Sequence, residues 1–289
     1  MNIQSPHLFF ACVLSLAACG GDAEIETASS SSETTGADVA AAPTSEAPDA
    51  DPIAEALTAP HRSADNRARD PYRHPGETLA FFGLEPDMNV VEMGPGGGWY
   101  TEILAPVLAE EGQLSVAIAP ETSEYTQRLL TRFSQDPEVF AEVERVTFEP
   151  PEQLSLGADA SADMVLTFRS THGWINRGQA EDVYAAMFRV LKPGGVLGVL
   201  QHRANEGVDV AASAQTGYVP QSKVVELATA AGFVLEESSD INANPQDDHD
   251  HPEGVWTLPP SLRLGDTDRA EWEAIGESDR MTLRFRKPE

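Results

Sequence analysis

The chain has 289 residues, with 47 Asp and Glu against 19 Lys and Arg, for a formal net charge of −28. A chain so acidic lacks the basic face needed to displace counterions from nucleic acid or an anionic bilayer, which disfavours both as partners and favours small neutral or cationic ligands. Its two cysteines, Cys12 and Cys19, both stand near the start, so no disulfide is expected in the rest.

Leu8 to Ala18 is an apolar run of signal-peptide length, too short to span a bilayer. Its end, Leu16-Ala17-Ala18-Cys19-Gly20, resembles a bacterial lipobox with Cys19 as the lipidated first mature residue, although residues 1–7 carry no Lys or Arg. The expectation is a signal peptide over 1–19 and a periplasm-facing lipoprotein of the bacterial cell envelope, attached to the membrane only by Cys19. Residues 20–60 are rich in Ala, Ser, Thr, Glu and Asp, include Pro43, Pro48 and Pro52, and carry no Lys or Arg before His61. Too little apolar surface is available there, so a disordered acidic tether is predicted. The folded domain is predicted to cover 61–289.

Within that domain, short apolar runs alternate with amphipathic stretches, the pattern of a parallel sheet joined by crossover helices. After a lead-in helix over 76–83, strands are expected at 89–92, 113–119, 143–148, 163–168, 196–201, 233–237 and 280–286. Helices are expected at 100–110, 121–135, 179–191 and 222–231, the third closed by Lys192-Pro193-Gly194-Gly195. The last strand alternates Met281, Leu283 and Phe285 with Thr282, Arg284 and Arg286 and reads as half-exposed.

Between the first strand and its helix stands Glu92-Met93-Gly94-Pro95-Gly96-Gly97-Gly98-Trp99-Tyr100-Thr101. Glycines allow positive φ and close approach to a ligand, and the helix start presents free amides. The dinucleotide fingerprint fails because its third glycine, counted from Gly94, falls on Trp99, and a P-loop fails for want of a Lys. The spacing Glu92-x-Gly94-x-Gly96-x-Gly98 resembles motif I of the class I S-adenosylmethionine-dependent methyltransferases. The helix junction at Leu191–Gly195 is also typical of them. More narrowly, Phe168–Trp174, Asn242–Pro245, His251–Pro260 and Gly276–Leu283 resemble a family of methyltransferases that carry export signals.

The resemblance implies an α/β, Rossmann-like, seven-strand and mostly parallel sheet with helices on both faces, the last strand antiparallel beside the sixth. It implies S-adenosylmethionine as methyl donor and a small-molecule or envelope acceptor. In the cofactor site it implies Gly94, Gly96 and Gly98 under the methionine part and ribose, Glu92 at the amino group, and Trp99 and Tyr100 near the sulfonium. The second strand ends Ala119-Pro120 without the usual ribose-binding acid, leaving Glu121 as the substitute, and Arg169 joins this set. Glu149 is a weaker candidate for the adenine amino group.

Methyl transfer needs alignment of the acceptor and, for a hydroxyl, a base. His172, after the fourth strand, is the preferred base candidate and His202, after the fifth, the second, with Arg169, Asn176 and Arg203 shaping the acceptor pocket. The fourth strand ends Phe168-Arg169-Ser170 and not Asn/Asp-Pro-Pro-aromatic, and the domain has no cysteine, which disfavours methylation of base amines and covalent attack on pyrimidines. Asp247-Asp248-His249-Asp250-His251 offers metal-ligating groups, but the expectation is a solvated loop without metal, covering the site's mouth and stiffened by Trp256, Pro259 and Pro260. Glu277-Ser278-Asp279-Arg280 reads as a turn with an ion pair or as a segment reaching the acceptor. The rival from another class is a non-catalytic lipoprotein that binds a nucleoside-like metabolite or metal on the same fold.

Overall fold

The computed structural model describes residues 51–289. The expected signal peptide, the lipid site at Cys19 and the tether up to residue 50 lie outside the described residues. The final part of the expected tether is corrected: Pro52–Thr58 is helical, its start capped by Asp51, with Ala56 buried. Ile53, Ala56 and Leu57, at helical spacing, dock on the core and outweigh the polar composition around them.

Among the described residues, eight strands form the sheet: β1 (Asn89–Met93), β2 (Gln113–Ile118), β3 (Glu144–Thr147), β4 (Ala162–Phe168), β5 (Leu191–Ala204), β6 (Val219–Pro220), β7 (Val234–Ser239) and β8 (Arg280–Arg286). Their order is β3-β2-β1-β4-β5-β8-β7, with the two-residue β6 paired to the end of β5. β1 to β5 run parallel, whereas β8 is antiparallel to both of its neighbours, β5 and β7. The seven expected strands and the reversed last one are therefore present, and β6 is an addition. The half-exposed reading of β8 is corrected: it lies inside the sheet, so Arg280, Met281, Thr282 and Leu283 are buried and only Arg284 and Arg286 are partly accessible. The exposed edge falls to β7, whose Glu236 and Glu237 pair with those two arginines.

Alternation along the strands feeds two cores. Val91, Val165 and Leu197 face the helices Ala180–Val190 and Gln221–Ala231, packing on Val183, Met187 and Leu227. Val90, Val116, Leu166 and Leu200 face the opposite layer, where Pro75–Phe82 and Thr101–Leu108 supply Leu79, Phe82, Ile103 and Leu104. Gly198 of β5 marks the tightest contact: a Cβ there would stand 2.7 Å from Leu166 and 2.8 Å from Phe82. No helix among the described residues is long and apolar enough to cross a membrane.

Strand order reverses between β1 and β4, and the connections leaving their carboxyl ends diverge to opposite faces. A crevice opens at that point in such sheets. All the loops discussed below converge on it.

Candidate functional site

A cavity of about 780 Å³ occupies this crevice, within the range that receives organic ligands. Its floor is the β1 loop, where Gly94, Gly96 and Gly98 have φ of 60°, 62° and 83°. Side chains other than glycine resist that conformation. At Gly96 and Gly97 an added Cβ would meet nothing, because these residues face open space, whereas at Gly98 it would press on Leu129 at 3.1 Å. Gly94, Gly96 and Gly97 line the cavity while Gly98 sits behind them and opens the helix, its carbonyl accepting from Glu102 N.

Glu92 also lines the cavity, yet only 1% of it is exposed. Its Oε2 accepts a 2.6 Å hydrogen bond from Thr101 Oγ1. Burial drives its pKa up to about 7, and the Thr101 bond offsets this only in part. No cation of the described residues pairs with it, so it stands ready for a cationic group of a ligand.

Trp99 and Tyr100 both line the cavity and are strongly engaged in packing. Trp99 stands between Arg62 and Arg73, 5.4 and 4.7 Å from its ring, and donates from Nε1 to Asn66 O. Tyr100 stacks on Phe168 of β4 at 3.5 Å between centroids. Glu121 is brought nowhere near them: its side chain is 69% exposed, reaches Arg145 at 3.9 Å and does not line the cavity. It follows Pro120 into a turn that carries it outward, and Glu149, beyond β3, is the acid that lines the cavity on this side.

At the other end, β4 and β5 deliver the histidines. Arg169 adopts φ 61° and its amide donates to Leu200 O, which bends the chain so that Thr171–Asn176 starts as a helix over the crevice. His172 and His202 both line the cavity, with ring centroids 6.0 Å apart, and Trp256 packs against His172 at 5.9 Å. The loop between β7 and β8 thus does reach the mouth of the cavity. Burial lowers the pKa of His172 to about 4, aided by Arg169 and Arg177 and opposed by Gln201. Burial, then Arg280, Arg169 and His172, hold His202 well below its ordinary value. Both rings are neutral at neutral pH. Gln201 Nε2 donates to Gly217 O at 2.9 Å and to His172 Nδ1 at 3.4 Å. His202 Nδ1 shares a 2.6 Å hydrogen bond with Ser278 Oγ.

Asn176 and Arg203 do not line the cavity. Asn176 donates to Ala214 O, and Arg203 grips Asp279 through two hydrogen bonds and Asp240 through a third. Both hold loops together. The His249 and His251 segment likewise forms a closed network: His251 Nε2 lies 2.8 Å from Asp247 Oδ1, His249 Nε2 lies 3.3 Å from Asp279, and Tyr218 Oη donates to both Asp247 oxygens. Asp247, Asp248 and His251 lie close enough to share an ion, but Asp247 already accepts from Tyr218, His251 and two backbone amides.

Residues without any motif complete the wall. Asn66 and Arg69 line the cavity from the segment before β1. That segment is fastened by buried Arg62, which binds Asp70 through two 2.8 Å hydrogen bonds and Glu102 at 3.0 Å. Arg69 and Arg73 both reach Glu277, about two hundred positions later in the chain. Only the sheet topology brings these partners together.

Residues 91–199 match a family described as a methyltransferase domain. The sterol 24-C-methyltransferase erg6 of Schizosaccharomyces pombe is 31% identical over 114 residues, which is 35% of this chain and 28% of that protein. The chain therefore spans only about a quarter of the length of that relative. Among solved structures, a SAM-dependent methyltransferase from Aquifex aeolicus superposes with a TM-score of 0.52 at 14% identity, covering 82% of this chain and 98% of that one. The [4+2]-cyclase SpnF superposes with a TM-score of 0.55 at 17% identity, covering 82% and 92%. The fold is the Rossmann-like α/β fold seen in the Aquifex aeolicus methyltransferase.

Proposed function

We propose that this chain transfers the methyl group of S-adenosylmethionine to a small-molecule acceptor bound between the β1 loop and the histidines, and that it works as an envelope lipoprotein held by Cys19. The observation that carries the reading is the β1 loop, with Gly94 and Gly96 at positive φ flooring an open cavity beside a buried carboxylate without a cation. Glu92 would hold the donor's amino group, Gly94 to Gly97 its methionine part and ribose, and Glu149 its adenine side. The donor supplies an already activated methyl group, so the protein's work is to align the acceptor, exclude water and remove a proton.

The geometry favours His202 over His172 for that proton. Because the Gln201 amide can only donate from Nε2, the bond to Nδ1 leaves the proton of neutral His172 on Nε2, which makes that nitrogen a donor. His202 bonds Ser278 through Nδ1, and when the hydroxyl accepts, Nε2 is free to take a proton. Trp256 closes this end.

Support for export is the apolar run Leu8–Ala18 followed by Leu16-Ala17-Ala18-Cys19-Gly20. Metabolic labelling with palmitate should mark the wild-type chain and not Cys19→Ala. The catalytic reading is tested by calorimetry of the full-length chain with S-adenosylmethionine and S-adenosylhomocysteine. Micromolar binding is expected, and its loss in Gly96→Val, whose side chain would enter the cavity from a left-handed position. The rival binding lipoprotein draws no support from the methyltransferase match, and silence with both nucleosides would revive it.

A further inference from the structure

Glu277 is a single carboxylate serving three guanidinium groups. Arg69 Nε donates to its Oε1 at 2.8 Å, Arg73 Nε to its Oε2 at 2.9 Å, and Arg280 Nη2 also to Oε2. Arg73 Nη1 and Nη2 and Arg280 Nε are buried with no partner among the described residues. A fourth guanidinium, that of Arg169, stands close enough for Arg280 and Arg69 to help burial bring its pKa down to about 10, with Glu277 and Tyr100 opposing them only in part. Arg169 itself makes no side-chain hydrogen bond among the described residues, and it lines the cavity beside the histidines, as Arg69 does further along.

Uncompensated cations are costly away from water, and a group of them with perturbed pKa around a cleft marks a candidate ligand site. The donor alone does not balance this cluster: its sulfonium and ammonium outweigh its one carboxylate, so it enters with net positive charge, and in the reading above its ammonium goes to Glu92. The charges bearing on the histidines are likewise those of arginines, Arg169 and Arg177 on His172, Arg280 and Arg169 on His202. The overall charge of −28 describes the whole chain and not this recess.

We infer that the acceptor bears a carboxylate or phosphate group, and that Arg169, backed by the Arg69, Arg73 and Arg280 cluster, receives it. This rests on the methyl-transfer reading above and names its substrate class. Of the two roles open to Arg169, donor site or acceptor pocket, it assigns the second.

The test uses the full-length chain saturated with S-adenosylhomocysteine and three probes: benzoate, phenyl phosphate and the neutral isostere benzamide. At least one anion should bind about tenfold more tightly than benzamide, as one charge-assisted contact provides, and the two anions distinguish a carboxylate from a phosphate site. Arg169→Gln should erase that preference while changing S-adenosylhomocysteine affinity less than about threefold. Benzamide binding as well as both anions, no anion binding up to about 10 mM, or a preference that survives in Arg169→Gln would overturn the inference. So would a variant that loses the nucleoside instead, since Arg169 would then serve the donor's carboxylate. The comparison of probes in the wild-type chain needs no variant. Failure of S-adenosylhomocysteine to bind the wild-type chain would instead strike the methyl-transfer reading itself.

Discussion

Replacing Glu92 by Gln keeps the size of the side chain and a hydrogen-bond acceptor for Thr101 but removes a charge that burial penalises. The pKa rises from 4.5 unfolded to about 7 folded, and at 1.36 kcal/mol per unit this costs the ligand-free protein about 3 kcal/mol at high pH. With only 1% of the residue exposed, solvent screening does not discount that figure. A raised carboxyl pKa gives stability that is full below about pH 4.5 and is lost as pH climbs through about 7, because the folded state must then surrender a proton it holds more tightly. His172 acts in the opposite direction: with its pKa lowered to about 4, its contribution is present above about 6.5 and lost as pH falls through 4. The wild-type profile mixes both, so the informative quantity is the difference between Glu92→Gln and wild type by urea unfolding. The variant should gain about 2–3 kcal/mol at pH 8 relative to its standing at pH 5. Binding should show the reverse: S-adenosylhomocysteine affinity of the wild type should rise about tenfold from pH 6 to pH 8 as Glu92 ionises, and stay flat and weak in the variant. A stability difference equal at both pH values, or a variant less stable than wild type at pH 8, would refute the buried, unpaired carboxylate.

Two further outcomes follow from the same geometry. Once an acceptor is in hand, His202→Ala should lower kcat by about 10²–10⁴, whereas His172→Ala should act chiefly on acceptor KM, with donor affinity unchanged in both; an intact kcat in His202→Ala would exclude it as base. Gly198→Ala should destabilise the fold by about 1–3 kcal/mol through its contacts with Leu166 and Phe82, and a neutral result in thermal unfolding would show that this layer yields.

Much of this protein was readable from residue spacing alone, for a local reason. Alternating apolar runs, helix-stopping glycines and the Glu92-to-Gly98 loop are short-range patterns, so strands, crossover helices and the floor of the cavity follow from neighbours within a few positions. Composition misled where a few apolar residues mattered more than the average, as in Pro52–Thr58, and alternation misled at β8, since exposure depends on which strands flank it. Glu121 lay close in sequence to the expected acid yet turns outward after Pro120. The arginine cluster around Glu277 and the bond from His202 to Ser278 join residues up to about two hundred positions apart. Such pairings have no periodicity to betray them. They exist only because inserting β8 between β5 and β7 carries the end of the chain back to the segment ahead of β1.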